Sequence, residues 1–448
     1  MKIRVVKELL STVRFMKKFI ALVLLLSVML PMVALTPAEI QEMQQRKSHY
    51  ILNLNSGEPL DSVYEQELIS IFYYDQFRHF QDPLAPYFML MSKTDQFAMG
   101  IGGVVRMRGW YDWDGAMSNS AFIPYDISIP DDPTRNHWTG STPAGTALFL
   151  SVFGRHTRFG NYQLYIEANF NGYGSRDLRL KKAYATVGDL TIGYTNSTFS
   201  DPSAQPPTVD GQGPNSKSSD TNILLRWMHT FKQRYVVAAS VETPNGAIPT
   251  LPDVYTGCSN YMPNFAAFMQ YQWGGGQHVR LAGVVRGLEY RDLLENRNYK
   301  KTGWGVHVST VLNPVAPLTL YGAVITGKGL GSLVNDLQNS PMDLVGDPSH
   351  RGRMFAPLSF GWYAGVQYHF LPNLFSTIVF SEERFLPKEE PVYENITYKY
   401  GLYGAANIFW NITPRCQAAV EYNLGKRQNI DHAHGWVNRV SLMAQFSF

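Results

Sequence analysis

Charge is scarce in this chain: Asp, Glu, Lys and Arg make up 17% of its 448 residues. Long apolar runs are scarcer, because only 19–35 qualifies and Ser27 and Pro31 interrupt it. A bundle of membrane helices, each needing about 20 apolar residues, is therefore excluded. The chain has two cysteines, Cys258 and Cys416, so no disulfide-dense scaffold is available. Catalytic signatures are missing as well: there is no G-x-S-x-G, no Walker loop and no H-E-x-x-H. His432-Ala433-His434 has no neighbouring Cys or carboxylate cluster, so neither a metal nor a cofactor is expected.

Aromatic residues are abundant, at 13%, in a chain otherwise too polar for buried helices. Strands with one greasy and one wet face reconcile the two facts. The last stretch, 436–448, displays the pattern. Trp436, Val440, Leu442, Ala444, Phe446 and Phe448 share one face, while Arg439, Ser441, Gln445 and Ser447 share the other. A strand of this kind with Phe at its tip suits a closed barrel in lipid, where the last strand must pair with the first.

The same alternation recurs upstream. Strands are predicted at 97–111, 146–157, 161–170, 178–187, 190–199, 221–229, 234–242 and 265–273. Eight more follow at 278–290, 302–311, 318–327, 359–370, 374–383, 396–411, 415–424 and 436–448. Their connections alternate between short turns, such as Gly188-Asp189 and Leu371-Pro372-Asn373, and long polar loops at 112–145, 200–220, 243–264 and 328–358. The expected fold is all-β, a sixteen-stranded antiparallel transmembrane barrel over 97–448 with short periplasmic turns and long extracellular loops. On this map Cys258 lies in an outer loop and Cys416 near the periplasmic rim, too far apart to bridge. Aromatics collect at strand ends, among them Tyr111, Phe170, Trp273, Tyr290, Trp304, Trp410 and Trp436, as headgroup-level girdles require.

Ahead of the barrel, Lys17 and Lys18 precede the apolar run, and Ala34 and Ala38 are candidate cleavage points, so 1–35 reads as a secretory signal peptide. Its loss removes six cations and one acid and takes the formal net charge from +3 to about −2, which withdraws any case for nucleic-acid binding. Residues 36–96 read as a short helical periplasmic extension. It opens with the capping box Thr36-Pro37-Ala38-Glu39 and carries a second amphipathic stretch at 62–80.

Placing apolar residues outward turns a basic set inward: Arg106, Arg108, Arg155, Arg179, Lys181, Arg226, Arg280, Arg286 and Arg439. A cation in mid-bilayer lipid costs about 2–4 kcal/mol, which drives these side chains to the bore. Lys182 breaks the alternation and is expected at a rim or a subunit contact. The inward acids are Glu167, Glu242, Glu383 and Glu421, with Glu421 a candidate partner for Arg439. The excess of inward cations predicts a preference for anionic solutes such as carboxylates. The Pro/Gly-rich loop 200–220, with Asp201, Asp210 and Lys217, is a candidate constriction if it folds inward. A surface barrel with a plugged lumen and an outer-membrane barrel hydrolase are the alternatives, although no Ser/His/acid grouping on a rim is evident.

Several of these segments carry a resemblance. Asn407-Ile408-Phe409-Trp410, Pro414, 420–427 and Asn438-Arg439-Val440 resemble the end of DcaP-like outer-membrane porins. So do 178–184 with Ser197-Thr198-Phe199, the run 327–331, and Ile101-Gly102-Gly103. The resemblance covers roughly 96–448 and implies a homotrimeric sixteen-stranded channel in outer-membrane lipid. It also implies an inward third loop and passage of small anions such as dicarboxylates. Carried over by position, Arg179, Lys181, Arg226 and Arg439 line the pore. The N-terminus departs from the family in lacking a clear heptad repeat.

Overall fold

The computed structural model describes residues 50–53, 88–91 and 97–448, the last without 114, 116, 118–119, 158–159, 171–176, 233, 274–275, 348, 387–396 and 414. The signal segment and both expected helices of the extension lie outside the described residues. What is described there is extended chain: Tyr50–Asn53 pairs in parallel with Phe88–Met91, which pairs in turn with Ala98–Ile101.

The first eight wall strands are β1 (Phe97–Trp113), β2 (Ala147–Thr157), β3 (Gly160–Phe170), β4 (Leu178–Val187), β5 (Leu190–Asn196), β6 (Thr221–Phe231), β7 (Tyr235–Glu242) and β8 (Asn264–Trp273). The second eight are β9 (Gln277–Asp292), β10 (Arg297–Val315), β11 (Leu318–Lys328), β12 (Leu358–Leu371), β13 (Leu374–Leu386), β14 (Tyr398–Asn411), β15 (Cys416–Asn429) and β16 (His434–Ser447). Each pairs antiparallel with its sequence neighbours, and β16 pairs with β1 from Asn438↔Trp113 to Ser447↔Val104. The sheet therefore closes into a sixteen-stranded antiparallel barrel. Phe448 completes the seam by exchanging two 3.0 Å backbone hydrogen bonds with Gly103. The chain end thus satisfies the edge that an open sheet would leave.

Alternation decides the two faces. Met269 is 65% exposed while its neighbour Phe268 is 2% exposed, and the same contrast runs along the other strands. Leu, Ile, Val and aromatic side chains cover the exterior. Tyr290, expected in a girdle, instead points inward and is fully buried beside Leu344 and Met354.

Two strand ends differ from expectation for identifiable reasons. The β9–β10 hairpin continues to Asp292↔Arg297 because its own ladder satisfies the backbone beyond the rim. β5 stops at Asn196 rather than 199, because the Glu242 carboxylate accepts from Ser197 Oγ (2.7 Å) and from the Thr198 amide (2.8 Å). Those bonds draw the chain off the wall and into the bore.

The bore is not uniformly polar. Inward Val236, Ala238, Ala266, Phe268, Ala282 and Val284 pack with Phe199, Leu330, Leu333 and Val334 of two infolded loops. At Gly305 a Cβ atom would come within 2.8 Å of Leu330 and 3.0 Å of Phe199, so the bare glycine admits both loop side chains. Loop residues thus fill the bore under β7–β11, and Phe122, Ile127 and Val209 do the same under β13–β16, so that the space left lies along β1–β6.

Candidate functional site

Residues 197–220 form the main infolded loop, and side chains of the wall hold it. Asp201 lies 2.8 Å from His278 Nε2, accepts from Ser309 Oγ at 2.5 Å and stands 3.5 Å from Arg280. On the far side of the bore, Glu421 accepts from the amides of Val209 and Asp210, both at 2.8 Å. Tyr363 donates to Ala204 O and Asn407 to Pro207 O. Asp210 in turn accepts from the Phe122 amide, which ties the first long loop to this one. Asp336 accepts from Asn215 and from the Tyr125 amide, so three loops lock together inside the barrel.

Between this plug and the wall of β1–β6 lies a cavity of about 270 Å³. Arg106 and Arg108 enter it from β1, Lys181 and Lys182 from β4, and Lys217 from the loop. Asp220 is the one carboxylate in that lining among the described residues, and burial pushes it up to about 6. Arg106 Nε donates to Gln445 Oε1 at 2.8 Å, and Arg108 Nη1 to Val209 O at 3.2 Å. Arg108 Nε is buried without a hydrogen-bond partner among the described residues. Lys217 Nζ donates to Gln205 Oε1 at 3.2 Å.

Lys182 was expected at a rim or a subunit contact, and the structure corrects this. The β3–β4 register slips between Glu167 and Ala168, with Glu167 opposite Lys182 and Ala168 opposite Leu180. Lys181 is the extra residue of a β-bulge, so two consecutive lysines reach the bore. The side chain of Lys182 is buried there. Adjacent lysines in an otherwise alternating strand are the signal that could have revealed the bulge. Asp220, at the end of the loop, carried no such signal.

The remaining expected residues are distributed differently. Arg280, Arg286 and Arg439 point inward but are sealed beneath the loops, paired with Asp201, with Asp343 at 3.1 Å and with Asp112. Arg439 binds Asp112 through two hydrogen bonds of 2.5 and 2.8 Å, not Glu421 as expected. Arg226 is buried and donates to Asn196 O. Arg179 is exposed near the long-loop end of β4, 3.9 Å from Asp177. The side chain of Arg155 lies outside the described residues. Among the acids, Glu167 binds Lys181 at 2.9 Å and Tyr165 OH at 3.0 Å, while Glu242 and Glu421 serve the loop. Glu383 is fully buried against Gly361, and its two carboxylate oxygens lack hydrogen-bond partners among the described residues.

No family model matches the chain, and no curated protein does. Solved structures do match its fold. The outer membrane channel DcaP of Acinetobacter baumannii superposes with a TM-score of 0.68 at 20% identity, covering 80% of this chain and 99% of that one. OmpT of Vibrio cholerae gives 0.50 at 9% identity over 80% and 99% of the two chains. OmpF of Salmonella typhi, in complex with daunomycin, gives 0.50 at 11% over 79% and 99%.

Proposed function

We propose that the chain is a DcaP-like outer-membrane porin, a passive channel for small hydrophilic solutes that favours anions such as carboxylates. The barrel shared with the DcaP channel supports the porin reading. So does an exterior on which Ile192, Met269 and Leu442 are each 60% exposed or more, a surface suited to lipid. The observation that carries the anion preference is the cavity lining: two arginines and three lysines against Asp220. Counting Glu167 against Lys181 still leaves the cations in the majority. Confined between low-dielectric walls, their field concentrates anions and repels cations.

The channel acts by electrostatics and sieving rather than by bond-making. As an outer-membrane protein it reaches its site through the signal peptide at 1–35 and assembles as a homotrimer. Purified protein in planar bilayers is expected to conduct, with a reversal potential in a KCl gradient of the sign that marks anion preference. Replacing Arg108, Lys181 and Lys182 by Gln is expected to move that potential toward zero. Absence of current would end the porin reading, and cation preference in the unaltered protein would end the charge argument.

A further inference from the structure

The cations of the cavity stand at its two ends. Arg106 and Arg108 come from β1, and Lys181 and Lys182 from β4. These strands are three intervals apart, about 14 Å along the wall. The backbone is bare where the guanidinium heads lie. A Cβ at Gly145 would stand 2.8 Å from Arg106 Nη1, and one at Gly211 3.2 Å from Arg108 Nη1. Between the ends the lining changes character. β3 contributes Asn169, and the infolded loop and the start of β6 contribute Gln212, Ser219 and Thr221. These four side chains are half-buried and make no hydrogen bond among the described residues.

A plain dicarboxylate does not match that middle. Ionised at both ends, it brings acceptors only, whereas the Asn169 and Gln212 carbonyl oxygens and the Asp220 carboxylate also accept. Asp220 takes Asn245 at 2.9 Å and Asn222 at 3.3 Å on Oδ2 alone. Its charge opposes a dianion, yet it is a strong acceptor for a hydroxyl group. Solute hydroxyls would donate to these oxygens and accept from the Asn169 and Gln212 amides. The cavity, about 270 Å³, is at the small end of the range for ligand sites and suits one short chain rather than an oligomer.

We infer that this cavity is a site for sugar acids, hydroxylated chains with a carboxylate at each end, in preference to unsubstituted dicarboxylates of equal length. The inference rests on the porin reading above and narrows its solute class. The carboxylates meet the cations of β1 and β4, and the hydroxyls between them meet Asn169, Gln212, Ser219, Thr221 and Asp220. A site with polar groups set to pair with hydroxyls discriminates against the analogue that lacks them, because those groups then go unpaired.

The test is block of the KCl current through the full chain in planar bilayers at pH 7.5. D-Glucarate and adipate are compared, both six-carbon dianions that differ only in hydroxyls, with neutral D-glucitol as the third solute. Glucarate is expected to half-block at a concentration about tenfold below adipate, the scale of one or two hydrogen bonds gained. Glucitol is expected to leave the current unchanged at those concentrations. Gln212→Leu/Ser219→Ala/Thr221→Val is expected to bring the glucarate-to-adipate ratio close to one, whereas Thr221→Ser, which keeps the hydroxyl, preserves it. Heat-modifiable migration on gels reports folding, and single Ser219→Ala and Thr221→Val variants lower the ratio in smaller steps. Equal block by the two acids, glucitol block as strong as glucarate block, or an unreduced ratio in the folded triple variant would each overturn the proposal. A current blocked equally by both acids defeats only the sugar-acid preference, whereas no current from the unaltered chain defeats the porin reading and this inference with it.

Discussion

Asp220 sits among cations yet holds its proton more tightly than an ordinary carboxyl, because burial outweighs its hydrogen bond from Asn245. Raised to about 6, it is charged at pH 7.5 and neutral at pH 5. Acidification therefore removes the single negative group among the described residues of the cavity lining and leaves its cationic side chains unopposed there. The anion-to-cation permeability ratio is expected to rise as pH falls from 7.5 to 5. Asp220→Asn is expected to show the higher ratio at both values, and an Asn variant with unaltered pH dependence would assign the effect elsewhere.

The tip of the infolded loop depends on an acceptor from a distant strand, whereas its root is held by its own Asp201. Glu421 on β15 takes two amide hydrogen bonds from the loop and two more from Asn407 and Asn423. Glu421→Gln keeps the size but presents an NH₂ group to these donors. Each hydrogen bond to a charged acceptor is worth about 1.5–3 kcal/mol, so the loop tip should detach transiently while Asp201 still holds its root. Single-channel recordings are expected to show larger and noisier currents than the unaltered protein. Identical traces would mean that Glu421 does not hold the loop.

For the whole molecule, the exterior of β1–β8, apolar at Ile192, Ile223 and Met269, is the face on which the proposed trimer is expected to assemble. It includes β5, the shortest wall strand, where Ile192 is 61% exposed. Ile192→Arg is expected to convert a trimer band on semi-native gels to monomer. The corresponding Val366→Arg on β12, which carries a similar lipid cost, is expected to leave the trimer intact. If both variants remain trimeric, the interface lies on another face.

How far the sequence reached follows from the range of the forces involved. Alternation is a property of successive residues, so strand positions, the closure of β16 on β1 and the inward turn of Arg106, Arg280 and Arg439 were legible in Trp436, Leu442 and their counterparts. The destination of those cations was not, because a partner 327 residues away, as Asp112 is from Arg439, leaves no local mark. Nor did alternation separate Lys181, in the cavity, from Arg286, sealed behind Asp343. The sequence determined that there is a wall with a greasy outside and a basic inside. Only tertiary structure decided which part of that inside remains open, because hydrogen bonds across the bore choose where the loops lie.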